Sequence, residues 1–194
     1  MHPISHLVPP ESVFAAMPHI ASRDLAVARW LGIPADHDDI MLTSTFSLPS
    51  FEPEWVVFLM RSRSGQHYLE YANAHIQIGS DDENLAVERL SSEIEDNWAH
   101  EILTAISTAL TAVRYPETDF TMGCDGTDYI FSASHPRSPG LITGQTWSPQ
   151  TESIPGQLVE LAEGMRGYCM CSREFQYRGR ARMRSPLDWL QAHQ

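Results

Sequence analysis

Residues 80–114 read SDDENLAVERLSSEIEDNWAHEILTAISTALTAVR, and the fold turns on how this stretch is read. Leu90, Ile94, Trp98, Ile102, Ile106 and Leu110 recur every four residues, and Val87, Leu103 and Val113 widen the stripe. That period predicts a helix with one broad apolar side. Ser80 followed by Glu83 forms a capping-box pattern, and Asp81 and Asp82 add negative charge where the helix dipole favours it. Pro116 closes the pattern. A helix over the whole stretch would run about 50 Å, long enough to back a small sheet.

On the N-terminal side, residues 1–20 hold four prolines and no sustained period, so they read as an arm. Ser22 to Leu31 reads as a short helix ended by Gly32 and Pro34. Asp36-His37-Asp38-Asp39 is a polar connector, because adjacent residues rarely converge on one ion. Ile40 to Ser47 is rich in β-branched residues and predicts a strand. Glu54 to Arg61 contains the continuous apolar run Trp55 to Met60, expected of a strand covered on both faces. Ser62 to Gly65 is a turn, and Gln66 to Ile78 returns as the second arm of a hairpin that delivers the chain to the long helix.

On the C-terminal side, Gly123-Cys124-Asp125-Gly126 signals a tight turn through left-handed conformations. Strands follow at Thr127–Ser134 and Leu141–Trp147. Ser153 and Pro155 then open a helix in which Leu158, Leu161, Ala162, Met165 and Cys169 share a face. In the tail, Arg178, Arg180, Arg182 and Arg184 alternate with small or apolar residues, the pattern of an edge strand guarded by charge, or of a latch onto the acidic body. Trp189 and Leu190 are placed to anchor its end. The expectation is an α+β fold. Antiparallel strands from 40–78 and 119–147, in one sheet or two, pack against the long central helix and a second C-terminal helix at 155–169. Residues 1–170 form one domain, and 171–194 an Arg-rich extension packed on or paired with it.

Charge narrows the function. All 13 basic residues are arginine, which removes P-loop, Schiff-base and kinase-type lysine chemistry. Residues 1–170 carry 8 arginines against 23 acids, whereas 171–194 carry 5 against 2, within a formal net charge of -12. Such a body repels nucleic acid and attracts basic partners. No basic-plus-apolar leader or membrane span is visible, and three cysteines suit a reducing cytoplasm. No cofactor motif is present, so no cofactor is expected.

Two constellations stand out. Glu93, Asp96 and His100 fall at i, i+3 and i+7 on the expected long helix, where Asp96 would orient His100 as a general acid or metal ligand. A solvated helix face is the plainer reading. His100-Glu101 opens like a zinc-protease helix, but Thr104 stands where the second histidine belongs. Asp125, Asp128, Tyr129, Trp147, Glu160 and Glu163 form an aromatic and acidic set suited to anchoring a partner with Arg or Lys side chains, against the plainer reading of core aromatics with surface acids.

Arg114-Tyr115-Pro116, Asp125 to Ser132, Gly144-Gln145-Thr146-Trp147-Ser148-Pro149 and Pro155 to Leu161, all within residues 114–168, together resemble small bacterial proteins of the toxin-immunity type. The resemblance implies an immunity protein that binds and inhibits a cognate toxin or effector. Joined to the charge and cysteine readings, it sets the expectation of a cytoplasmic protein that acts through an acidic, aromatic-bearing surface, without catalysis, on a toxin basic at its contact surface. These are turn and cap motifs, and no catalytic residue comes with them. The residues leave two other readings open: a metal-assisted hydrolase built on Glu93, Asp96 and His100, or a structural adaptor or homo-oligomer such as a homodimer.

Overall fold

The structure is a computed structural model that describes residues 7, 26–27, 29–32, 38–76, 78, 85–113, 125–134 and 140–193. Its strands are β1 (Ile40–Pro49), β2 (Trp55–Arg61), β3 (His67–Ala74), β4 (Val87–Glu93), β5 (Thr127–Ser134) and β6 (Leu141–Trp147). Its helices are α1 (Asp96–Thr111), α2 (Ile154–Met170) and α3 (Gln176–His193), with a 3-10 turn at Arg173–Phe175. The fold is α+β, and the strands form one six-stranded antiparallel sheet in the order β4-β3-β2-β1-β5-β6.

The first four strands are a meander. At its tightest turn Gly65 takes φ 91°, its N–H donates to the Ser62 carbonyl (2.9 Å), and the Ser62 Oγ accepts from the Gln66 N–H (3.0 Å). Only a residue without a Cβ holds that conformation cheaply. Arg63, in the same turn, pairs with Asp38 and donates its backbone N–H to Asp39. The antiparallel pairings make β4 and β5 run in the same direction, so the chain between them must cross over the sheet, and α1 makes that crossing.

Side-chain alternation divides the buried residues between two faces. Val57, Leu59, Leu69, Tyr71 and Phe131 point toward all three helices, packing on Ile102, Ile106, Leu161 and Met165. Val56, Phe58, Met60 and Ala72 point the other way, against the helical residues Val27 and Leu31 and against Ile78. The apolar run Trp55 to Met60 is therefore covered on both sides, as its composition implied.

Three expectations need correction. The long helix is shorter: α1 begins at Asp96, and residues 87–93 are a strand paired with β3 along seven residues. A spacing of four is in phase with a period of two as well as with 3.6, so Leu90, Ile94 and Trp98 did not distinguish the two. Val87 and Leu90 lie on opposite faces of the sheet, and each finds its own apolar layer. The residues expected to cap the longer helix, Ser80 to Glu83, lie outside the described residues, as do most of the N-terminal arm, Arg114 to Pro116, Gly123 and Cys124.

The Arg-rich tail is a helix, not an edge strand. At 100° per residue the alternating arginines split into two pairs, which turns Arg180 and Arg184 toward α1. The glycine of the Asp125-Gly126 turn is required by contact rather than by left-handed geometry. A Cβ at Gly126 would lie 2.5 Å from the Trp147 ring, and among the described glycines only Gly65 has positive φ.

Helices α2 and α3 cross where both carry glycine. A Cβ at Gly164 would sit 2.8 Å from Met183 Cγ, and one at Gly179 would sit 2.7 Å from Tyr168 Cα. Backbone cannot swing aside as a side-chain tip can. Gly179→Ala is therefore expected to lower stability: alanine favours the helix by about 1 kcal/mol, but overpacking costs about 1–3 kcal/mol on top of separating the helices. Gly140→Ala, with nothing within 4 Å of the new Cβ, is the control, and thermal melts should show a loss for the first and little change for the second.

Candidate partner-binding surface

The sheet separates the residues singled out from sequence. Glu93 ends β4, whereas Asp96 and His100 belong to α1. Asp96 Oδ1 meets His67 Nδ1 at 2.8 Å, not His100, which is exposed. The i, i+3, i+7 geometry required Glu93 to be helical, and it is not. Among the described residues no three His, Cys, Asp or Glu side chains converge as a metal site would need.

The aromatic and acidic set divides in two. Asp128 and Trp147 are cross-strand partners, and Asp128 accepts from Gln145 Nε2 (3.2 Å). Tyr129, one residue on, points to the opposite, helix-bearing face, where its ring stacks with Phe131 at 6.4 Å. Thr127, Tyr129, Ser148 and Glu160 line a shallow pocket of about 180 Å³. Burial raises the Tyr129 hydroxyl pKa, and the nearby Glu163 and Glu160 carboxylates raise it further. Glu163 is itself ion-paired with Arg166 (3.3 Å). Asp125 stands exposed in the turn before β5. The six residues thus belong to two surfaces on opposite faces of the sheet.

A larger concavity lies elsewhere. A groove of about 1200 Å³ runs along the edge strand β4, between the start of α1 on one side and the α2–α3 junction on the other. Its strand wall is Leu90 to Ile94, its acidic lip is Glu93, Glu95 and Asp96, and Tyr168, Cys171, Arg173 and Gln176 face them. The Tyr168 hydroxyl donates to the Glu93 carbonyl (2.9 Å), fastening the end of α2 to the end of β4. Glu70, also on its wall, is ion-paired with Arg89 (2.8 Å), whose guanidinium also donates to the Gly32 carbonyl (2.8 Å). Tyr68 donates to Asp39 Oδ2 (2.7 Å), and burial followed by that bond holds its pKa well above the ordinary phenol value.

Helix α3 closes the groove by electrostatic latching. Arg180 pairs with Glu95 (2.6 Å), and Arg184 pairs with Glu101 (2.7 Å) while its guanidinium lies 4.2 Å from the centre of the Trp98 ring. Leu187 and Leu190 bury the apolar side of the same helix. Sequence reasoning missed the groove because it took β4 for helix. The signal that was available is the Ser91-Ser92 pair, which sits poorly in a helix interior.

No family model, no curated protein and no solved structure matches the chain.

Cys169 and Cys171 border the groove as free thiols of different character. Burial, with a smaller contribution from Glu70, pushes the Cys169 thiol pKa up from 9.0 to about 12. A thiol that holds its proton more tightly when folded stabilises the native state fully below the unfolded pKa, and that contribution is lost as pH rises toward the folded one. Urea denaturation of wild type and Cys169→Ala should therefore diverge in slope between pH 9 and 12, with wild type losing stability faster. The tyrosines common to both cancel in the comparison.

Proposed function

We propose that this chain is a binding protein without catalysis of its own, an immunity protein that inhibits a cognate toxin or effector by covering a basic contact surface. The observation that carries the reading is where its charges stand. Arg63, Arg89, Arg166, Arg180 and Arg184 are each ion-paired within the chain, each using one carboxylate, while Arg61, Arg173, Arg178 and Arg182 stand exposed and are outnumbered by the remaining acids. Glu88, Glu93, Asp96, Asp125 and Glu160 stand exposed, within a net charge of -12. A field of one sign attracts a partner of the other and speeds encounter, in a way that salt screens. An aromatic residue stands beside carboxylates on each face, Tyr129 near Glu160 and Glu163 on one and Trp147 beside Asp128 on the other, and either can add contact area that charge alone lacks.

The reading places the protein in the cytoplasm of a cell exposed to that toxin. Among the described residues no helix is long and apolar enough to cross a membrane.

The test is capture on the immobilised protein from lysate of its own source, at low salt and at high salt, followed by mass spectrometry. A single stoichiometric partner with a basic domain is expected, retained at low salt, with an association rate that falls as salt rises and a toxic activity suppressed on binding. An association rate indifferent to salt, or a partner without a basic surface, would contradict it.

A further inference from the structure

We propose that the outer edge of β4 is the docking strip, and that it takes an extended basic segment of the partner as a seventh strand of the sheet. The proposal rests on the binding reading above and names the place and mode of contact.

The phase of the ladder identifies which backbone groups are available. The Ile94 N–H donates to the His67 carbonyl (3.1 Å), so Ile94 faces inward. Hydrogen bonding alternates along an antiparallel strand. With Ser92 opposite Leu69 and Leu90 opposite Tyr71, the even-numbered residues bond to β3. Val87, Arg89, Ser91 and Glu93 then turn their N–H and C=O groups outward. The Tyr168 hydroxyl on the Glu93 carbonyl fits this phase independently, since a donor from α2 reaches that group from outside the sheet. It also marks where the strip ends. Among the described residues no backbone partner meets Arg89 or Ser91 on that side.

Edge strands invite pairing, and proteins usually guard them with lysine, proline, bulges or a cover. This edge has no proline and no lysine, its pairing with β3 is an unbroken seven-residue register, and it opens into the groove. Its guard is acidic. Glu88 and Glu93 lie exposed within the strand, and Asp96, with its side chain 85% exposed, lies just past its end. Acids there oppose pairing with a second copy of the same edge, because like charges on neighbouring strands repel. Glu88 and Glu93 differ in parity and so stand on opposite faces of the strand, which favours an incoming strand that carries Arg or Lys on either face. Arg89 does not undo this bias, since Glu70 neutralises it on the sheet surface. Beyond the groove, the α2–α3 junction exposes Met170, Phe175 and Tyr177 (56%, 45% and 60%), the residue types that anchor protein interfaces.

The test uses the full-length protein and a synthetic peptide of about eight residues, a usual strand length, alternating Arg with Val or Thr. Two controls are the same peptide N-methylated on alternate amides and a version with Glu in place of Arg. By NMR, saturating peptide should slow amide exchange of Arg89 and Ser91 by about tenfold or more, and both controls should bind at least about tenfold more weakly. Ser91→Pro removes an outward N–H that the β3 ladder does not use, so it should weaken binding comparably while the melting temperature is retained. The N-methylated peptide gives the same answer with the protein untouched, should that variant fold poorly. The Glu peptide binding as well as the Arg peptide, protection mapping away from β4, or indifference to N-methylation would each overturn the docking strip. So would sedimentation revealing a dimer that Ser91→Pro dissociates, because the occupant would then be a second copy. A captured partner that binds wild type and Ser91→Pro alike would sink the strip and leave the binding reading standing, whereas failure to capture any basic partner would sink the reading itself.

Discussion

The pairing of β4 with β3 is the constraint on which the rest of the molecule depends. Seven residues that carry a helix-like period are held as a strand because Leu69 and Tyr71 of β3 lie beside Ser92 and Leu90, and both faces of the resulting edge meet apolar layers. Once that ladder forms, α1 can start only where it ends, at Asp96, and the His67–Asp96 contact ties the helix start to the neighbouring strand. The helix then crosses the sheet to deliver β5 against the free side of β1. Its last turn lies over β6, where a Cβ on Gly144 would come within 2.9 Å of both Leu110 and Val113. Tertiary pairing overrides local propensity here, as it commonly does over short segments.

Helix α3 follows from the same placement. Because α1 begins at the sheet edge, Glu95 and Glu101 are presented to α3, and Arg180 and Arg184 meet them. The tail, whose alternating arginines read as an edge strand or as a latch onto the acidic body, is held to that body through half of those arginines, with Leu187 and Leu190 completing the contact. Partly exposed ion pairs of this kind are individually weak. Each pair removes one charge of either sign, so the field around the molecule keeps the sign of the acidic excess, a formal net charge of -12. The groove between β4 and the α2–α3 junction is the product of both placements.

Much of this was legible in the sequence. Thr127–Ser134 and Leu141–Trp147 are strands at the bounds that turn residues and β-branched composition implied, and Ser153 caps α2 by accepting from the Gly156 N–H (3.1 Å). Capping and turn chemistry act over three or four residues, so local sequence carries them. Two kinds of information were not local. The choice between strand and helix at 87–93 depends on β3, which offers a ladder that no short-range pattern records. The sides taken by Asp128, Trp147 and Tyr129 depend on parity along β5 and β6, and a chemical grouping by residue type ignores parity. Asp96 finding His67 rather than His100 has the same origin, because it needs two segments that lie 29 residues apart to be neighbours.

The most direct measurement is residue-resolved amide hydrogen exchange on the free protein across residues 87–94. A strand at the edge of the sheet requires alternation: slow exchange at Leu90, Ser92 and Ile94, whose N–H groups face β3, and fast exchange at Arg89 and Ser91, whose N–H groups face outward. Uniform protection along the segment would mean that these residues are helical or already covered on their outer side, and would contradict the account.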